Sequence, residues 1–218
     1  MSAFDPGFDD LPGQLPIFPL TGVLLLPRGE LPLNIFEPRY LNMTLDAIAG
    51  DRLIGMIQPT EPESEDANPP VYSTGCAGRI VSFQETEDSR LLITLKGLCR
   101  FNVKEELPLV DGYRPVVADW SNFRADMEST EEAVIDRERL LGLLKTYFKI
   151  QGIEADWNAI ETTSEERLVT CLSMICPFEG PEKQALLEAP TLTDRGKVLI
   201  TLVEMAVHPG APGEAARQ

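Results

Sequence analysis

The sequence is poor in the residues that many enzymes use for acid–base and metal chemistry. It contains one histidine, His208, and four cysteines. None of the cysteines stands in the paired C-x-x-C spacing that is typical of zinc ligands. His208 lies next to Pro209 near the predicted end of a helix, where a histidine more often acts as a terminal cation than as the base of a hydrolytic triad. We therefore predict no catalytic residues, no metal site and no cofactor.

Long apolar runs are also missing. The most apolar stretches, residues 22–27 and 198–207, are short or interrupted by Glu204, so neither has the length of a membrane span. The first six residues, MSAFDP, are acidic and followed by glycine, unlike the basic and then apolar pattern of a secretory signal. We predict a cytoplasmic protein without a membrane span, in which the four cysteines are reduced thiols, mostly buried.

Basic residues are scarce relative to acidic ones. Lysine and arginine together number 19 against 35 aspartates and glutamates, which gives a formal net charge of −16. Nucleic-acid binding requires clustered cations that neutralise phosphates, so RNA and DNA are poor candidates as partners. The charge favours solubility, and as an alternative it favours the selection of basic peptide segments.

The first part of the sequence, to about residue 120, consists of short apolar runs separated by proline and glycine, a pattern that favours strands and tight turns. One helix is predicted here, beginning at Pro38 and ending near Gly50. Residues 59–70 are acidic and proline-rich, which predicts a solvated loop or flap, with presentation of carboxylates to basic or unfolded chains as the alternative. The predicted strands are residues 15–18, 23–26, 31–36, 53–57, 78–85, 91–95, 99–105 and 113–120.

In the second part the apolar period becomes helical. Capping boxes are predicted at Ser129 with Glu132 and at Thr163 with Glu166, and further helices are predicted from Pro181 and over 191–207. A short helical turn is predicted at Trp157 and Ile160. The helix after Thr163 carries an apolar stripe and must stop at Pro177; the stripe is Leu168, Cys171, Leu172 and Ile175.

These patterns predict an α+β fold in which a β-rich half precedes a helical half. The predicted boundaries are an extended or disordered tail at 1–12, a β-rich unit at 13–120 with one helix near 38–49, a linker at 121–128, a helical bundle at 129–208 and a flexible tail at 209–218.

Several motifs, in this order along the chain, resemble the substrate-binding N-terminal domain of the Lon protease family. The longest is the run LPIFPL at 15–20, VLLLP at 23–27 and LPLNIFEPRY at 31–40. GCAGRI at 75–80, KGLCRF at 96–101 and EKQALLE at 182–188 follow. The resemblance extends over roughly residues 13 to 207.

The resemblance implies a PUA-like pseudobarrel joined to a helical bundle, and a role in binding polypeptide segments or partner proteins. It does not extend to the machinery of the protease. No G-x-x-x-x-G-K-[ST] phosphate loop occurs in the sequence, and the peptidase dyad of that family belongs to a separate domain.

Candidate binding residues stand at three places. Glu37, Arg39 and Tyr40 bring a carboxylate, a guanidinium and a phenol together, a set that can hold a peptide terminus; the favoured interpretation is instead a charged pair that fixes a strand-to-helix corner. Trp120 and Trp157 are either core residues or exposed anchors for a partner.

Three functions remain open at this stage. The favoured one is a non-enzymatic domain that binds exposed hydrophobic or disordered polypeptide segments in a cleft between barrel and bundle and recruits them for a separate protease. The alternatives are a hydrolase or peptidase with a Ser-Lys or carboxylate site, and an RNA-binding module of PUA-like architecture, which the charge of −16 opposes.

Overall fold

The structure is a computed structural model that describes residues 4–64, 66–128 and 134–208. The described residues form six β-strands and six α-helices, so the predicted α+β class is confirmed. The strands are β1 (Gln14–Pro19), β2 (Glu30–Ile35), β3 (Leu53–Ile57), β4 (Thr74–Glu85), β5 (Leu91–Glu106) and β6 (Arg114–Asp119). The helices are α1 (Pro38–Ala49), α2 (Arg137–Gln151), α3 (Trp157–Thr162), α4 (Glu165–Ile175), α5 (Gly180–Glu188) and α6 (Leu192–Val207).

The strands form one sheet that closes on itself. Its order is β2-β5-β4-β3-β1-β6, and an additional pairing between β5 and β6 joins the two sides. β1 pairs with β3 in parallel, and the other pairings are antiparallel. Strand β5 takes part in three pairings because its sixteen residues bend along their length. The result is a ring of five strands, with β2 attached outside it.

The predicted strand at residues 23–26 is wrong, because this segment is buried coil. Leu24, Leu25 and Leu26 are almost fully buried, yet they belong to no strand. The chain instead approaches β5 through two backbone hydrogen bonds, from Arg28 N to Gly97 O and from Gly97 N to Gly29 O, both 2.8 Å long. The segment is buried, as its apolar residues indicate, but a buried coil and a buried strand have the same apolar pattern.

The helices begin close to the predicted positions, with one correction. Helix α1 begins at Pro38, as predicted, and α6 begins at Leu192, one residue after the predicted start, with Thr191 as its N-cap. Helix α4 is capped by Ser164, whose Oγ accepts from Arg167 N, and not by Thr163. Thr163 closes α3 instead, and its Oγ1 donates to Ala159 O at 2.6 Å. The predicted capping box at Ser129 and Glu132 lies outside the described residues, and α2 is capped by Asp136.

Two buried clusters fill the protein. The smaller one lies within the strand ring and includes Leu15, Phe101 and Trp120. The larger one contains side chains from both parts of the chain, such as Ile35 of β2 and Leu144 of α2. Among the described residues, no helix has both the length and the apolarity needed to cross a bilayer.

One buried arginine connects the sheet to the helices. Arg100 of β5 forms a two-pronged ion pair with Asp126, at 2.8 and 2.9 Å. Its guanidinium also donates to three carbonyl oxygens in the last turn of α5 and just after it, on Leu187, Ala189 and Pro190, at 2.8 to 3.3 Å. Both charged side chains are more than nine-tenths buried. Because a buried guanidinium is stable only when its donors find acceptors, this contact fixes the α5–α6 turn against the sheet.

We predict that Arg100→Met lowers the free energy of unfolding by about 3–5 kcal/mol, because it leaves the Asp126 carboxylate buried without its cation. Urea denaturation followed by circular dichroism measures the loss. Arg90→Met is the matched control, since the Arg90–Asp88 pair is exposed and such pairs contribute little. Equal unfolding midpoints for the two variants would contradict the role given to Arg100.

We also predict that Gly97→Ala destabilises the protein by about 1–3 kcal/mol or more, because the added Cβ overpacks a backbone contact. That Cβ would lie 2.0 Å from Leu26 O, whereas a Cβ on Gly142 of α2 would meet no atom within 4 Å. Gly142→Ala should therefore stabilise the protein by about 0.5–1 kcal/mol. The same denaturation experiment compares them, and a neutral Gly97→Ala would show that the close approach is not required.

Candidate functional site

An apolar opening lies among helices α2, α3 and α4. We call it the helical groove, and its volume is about 250 Å³. Nine of its twelve lining residues are apolar or cysteine if the two alanines are included. The lining residues are Phe148, Ile153, Glu154, Ala155, Ala159, Ile160, Thr163, Arg167, Leu168, Cys171, Leu172 and Ile175. A groove of this composition suits an apolar side chain better than a polar ligand.

One wall of the groove comes from α4, where the apolar stripe divides between two surfaces. Leu168 and Leu172 are buried in the core, whereas Cys171 is exposed and Ile175 is 66% exposed. The stripe is therefore wider than the surface that the core covers. A methyl-rich side chain that remains in water can gain about 1.5–3 kcal/mol when a partner buries it.

The opposite wall is held in place by helix termini and by one arginine. Gly152 adopts a left-handed conformation with φ 66° and ends α2, so that the chain turns into the groove at Ile153. Arg137 Nη2 donates to the carbonyl oxygens of residues 160, 161 and 163, at 2.8 to 3.0 Å. These contacts satisfy carbonyls at the end of α3 and attach it to the start of α2.

Of the predicted residues, Trp157 lies nearest this region. Its ring packs against Phe148, with the two ring centroids 5.7 Å apart. The Lys145 ammonium lies over the Trp157 ring, 5.7 Å from its centroid. Trp120, in contrast, is 9% exposed, contacts Phe101 and donates from Nε1 to Pro12 O at 2.9 Å. The structure thus places Trp120 in the core of the strand ring and Trp157 beside the groove.

Glu37, Arg39 and Tyr40 lie together at the start of α1. Arg39 Nε donates to Glu37 Oε2 at 3.1 Å, and its guanidinium lies 4.5 Å from the Tyr40 ring centroid. Tyr40 is buried against Phe18, with ring centroids 4.2 Å apart. Burial raises the pKa of the Tyr40 phenol, and the Arg39 cation opposes that rise. The geometry matches a strand-to-helix corner.

The acidic loop at 59–70 is attached to this corner through its backbone. Arg39 Nη1 donates to Ala67 O at 2.6 Å, and Arg114 Nη1 donates to Pro69 O at 2.7 Å. The carboxylate-bearing residues Glu61, Glu63 and Asp66 are exposed. The loop therefore presents acidic side chains to solvent while two arginines hold its carbonyls.

Between the sheet and the helices the structure describes a cavity lined by charged side chains, whereas an apolar peptide cleft was expected there. The volume of this cavity is about 120 Å³, and its lining includes Arg28, Arg100, Asp126, Glu166 and Arg195. This cavity could not be predicted from the sequence, because its charged residues come from distant parts of the chain. The apolar groove lies instead within the helical part, where Ile153, Ile160 and the stripe of α4 were the available signals.

Three of the four cysteines are buried outside the groove, and the exposed Cys171 lines it. Burial raises the pKa of the Cys99 and Cys176 thiols to about 12 and that of Cys76 well above its usual value. Thiols in such surroundings are inert. Lys183 is also buried, which lowers its pKa, and its Nζ donates to Gly22 O at 2.6 Å. In the described part of the chain, no group of three or more metal-ligating side chains converges.

Comparisons with known proteins agree on one family. Residues 14–205 match the ATP-dependent protease La (LON) substrate-binding domain. The Lon protease of Flavobacterium johnsoniae is 26% identical over 191 residues, which is 86% of this chain and 23% of that protein. Lon protease 2 of Myxococcus xanthus is 26% identical over 207 residues, which is 89% of this chain and 24% of that protein. The chain therefore spans about a quarter of the length of these relatives.

Solved structures show the same fold. The Lon N-terminal domain protein from Xanthomonas campestris superposes with a TM-score of 0.62 at 22% identity, over 86% of this chain and 97% of the other. The N-terminal domain of the Mycobacterium avium complex Lon protease superposes with a TM-score of 0.59 at 15% identity, over 88% and 98%. With a match that extends over most of its length, this chain belongs to the family of the Lon protease substrate-binding domain.

Proposed function

We propose that this chain binds exposed apolar segments of polypeptides in the helical groove and carries out no chemistry on them. The observation that carries the proposal is the exposed half of the α4 stripe, where Cys171 and Ile175 form an apolar wall in water. The name of the family, a substrate-binding domain, supports the same function. The relatives are named Lon proteases, so we extend the proposal to the delivery of bound segments to a separate protease.

The dimensions of the groove set the expected affinity. A volume of about 250 Å³ is below the usual range for sites that enclose a drug-sized ligand, about 300–1,000 Å³. It therefore suits one or two apolar side chains, each of which gains about 1.5–3 kcal/mol on burial. We expect dissociation constants between about 0.1 mM and 10 mM for a single segment.

Charge adds a preference among apolar segments. The chain carries a formal net charge of −16, and Glu154 lies in the wall of the groove beside a single cation, Arg167. Long-range attraction then favours segments in which lysine or arginine flanks the apolar side chain. The same field repels phosphate backbones, which argues against the RNA-binding alternative.

We also propose that the chain consists of a pseudobarrel and a helical bundle. The ring of five strands supports a PUA-like pseudobarrel over residues 13–120, and helices α2 to α6 support a bundle over 129–208. Asp126 occupies the stretch between them and joins Arg100, which supports treating 121–128 as a connection fixed to both parts. The cytoplasmic location stays a prediction of the sequence.

We predict that an apolar peptide with flanking lysines protects Cys171 from alkylation by iodoacetamide. In the folded protein Cys171 is exposed and the other three thiols are buried, so alkylation of the native chain reports on the groove. Protection should increase with peptide concentration and saturate, and it should weaken with added salt because the charge contribution is screened. Mass spectrometry of the alkylated protein measures it.

Two exposed substitutions make the test specific. Ile175→Asp places a charge in the groove wall and should abolish protection, with little effect on folding because Ile175 is 66% exposed. Phe83→Asp changes an exposed apolar residue of β4, 54% exposed, outside the groove, and should leave protection intact. Loss of protection in Phe83→Asp and not in Ile175→Asp would place binding on the sheet and contradict the proposal.

A further inference from the structure

A second site is indicated by the polar cavity between the sheet and the helices. We call it the Arg195 cavity; its volume is about 120 Å³. Arg100, Asp126 and Glu128 line one side of it, and Thr191, Leu192 and Arg195 line the other. It is separate from the helical groove, with which it shares no lining residue.

Arg195 lines this cavity, and part of its guanidinium has no hydrogen-bond partner among the described residues. The residue is 6% exposed, and its Nε donates to Leu186 O at 2.8 Å. Within the described ranges, Nη1 and Nη2 make neither a hydrogen bond nor an ion pair. In those ranges, Ser173 Oγ and Gln184 Oε1 are the only solvent-inaccessible polar side-chain atoms without a hydrogen-bond partner. The two Nη atoms of Arg195 have no partner and are not among them, so they are accessible to solvent and face the cavity.

Four of the other five charged residues of the cavity are paired with one another, and the fifth, Glu128, has an exposed side chain without an ion pair among the described residues. Arg100 holds Asp126 in a two-pronged ion pair, and Arg28 contacts the Glu166 carboxylate and the Glu128 carbonyl. Arg195 is left as a buried cation without a counterion among the described side chains. Burial, together with the neighbouring Arg100 cation, lowers the pKa of Arg195 to about 10, and Asp126 opposes this effect. The group is still protonated at neutral pH.

The first turn of α6 also borders the cavity, and it carries one acid, Asp194, whose carboxylate accepts from Thr191 Oγ1 and from Lys197 Nζ. Thr191 caps this sixteen-residue helix, and both Thr191 and Leu192 line the cavity. The N–H groups of a first helical turn have no acceptors within the helix, and the helix dipole favours an anion beside them. A helix N-terminus and an unpaired guanidinium thus point to the same small space.

We propose that the Arg195 cavity binds a single carboxylate, with the Nη atoms of Arg195 donating to it. A monoanion matches the one unpaired cation, whereas a doubly charged phosphate would meet the carboxylates of Asp126, Glu128 and Glu166 without enough positive charge. The cavity has room for a carboxylate and a few atoms behind it, but not for a folded chain. The carboxylate comes either from a small organic acid or from the C-terminus of a polypeptide, and the two sources can be separated by experiment.

Titration with sodium acetate, observed by NMR at the Arg195 side-chain Nε–Hε resonance, tests the site. We expect a saturable shift that sodium chloride at equal ionic strength and neutral acetamide do not produce. Arg195→Met should remove the binding. A shift with acetate that does not saturate, or that chloride reproduces, would overturn the proposal.

A second pair of variants keeps the test decisive if Arg195→Met does not fold. Ala125 is exposed and lines the cavity, so it tolerates a polar side chain. Ala125→Glu and Ala125→Gln differ in charge and little in size. The glutamate variant should bind acetate about fivefold more weakly than the glutamine variant, and equal affinities would contradict a carboxylate site.

Peptides distinguish the two sources of the carboxylate. A peptide with a free C-terminus that binds about tenfold more tightly than acetate, while its amidated form does not bind at this site, indicates a polypeptide terminus. Equal affinity for acetate and the free peptide indicates a small organic acid. Both readouts are independent of Ile175→Asp, so failure here is distinguishable from failure of the helical groove.

Discussion

The buried ion pair between Arg100 and Asp126 is the contact on which the arrangement of the protein depends. Arg100 is carried by β5, the strand that pairs with three others, and its remaining donors reach carbonyls at the end of α5 and in the turn to α6. Helix α6 in turn packs on α2 and α4, which form the walls of the helical groove. The position of both candidate sites therefore follows from one guanidinium, since the Arg195 cavity also borders it.

Most of the fold could be predicted from the sequence, because its signals are local. Pro38 marks the start of α1, and the alternation of Leu91, Ile93 and Leu95 marks the buried face of β5, whereas Val81 and Phe83 of β4 alternate in the same way and are exposed. The errors have physical causes. Leu24 to Leu26 are as apolar as a strand, yet Gly97 lets them pack as coil. Thr163 and Ser164 both carry a hydroxyl that can cap a helix. Ser164 caps α4 because α3 ends at Thr163.

The sites were less predictable, because they are made by contacts between distant residues. The stripe of α4 was recognised, but burial of Leu168 and exposure of Ile175 depend on where α2 and α6 cover the helix. Glu37 and Arg39 are candidates in the sequence because they lie close together along the chain. In the structure they form a strand-to-helix corner that is hydrogen-bonded to the 59–70 loop. Nothing in the sequence distinguishes Arg195 from the other arginines. Its lack of a counterion is apparent only once the structure shows that Arg100 pairs with Asp126.

The central claim is that a polypeptide segment binds at the helical groove. Methyl NMR of the isoleucine-labelled chain with an apolar, lysine-flanked peptide tests it most directly. The groove contains three isoleucines, Ile153, Ile160 and Ile175, while Ile17 and Ile54 are fully buried elsewhere. We expect saturable shifts and contacts with the peptide at the three groove methyl groups. Shifts confined to isoleucines of the sheet, or none at any peptide concentration, would contradict the account.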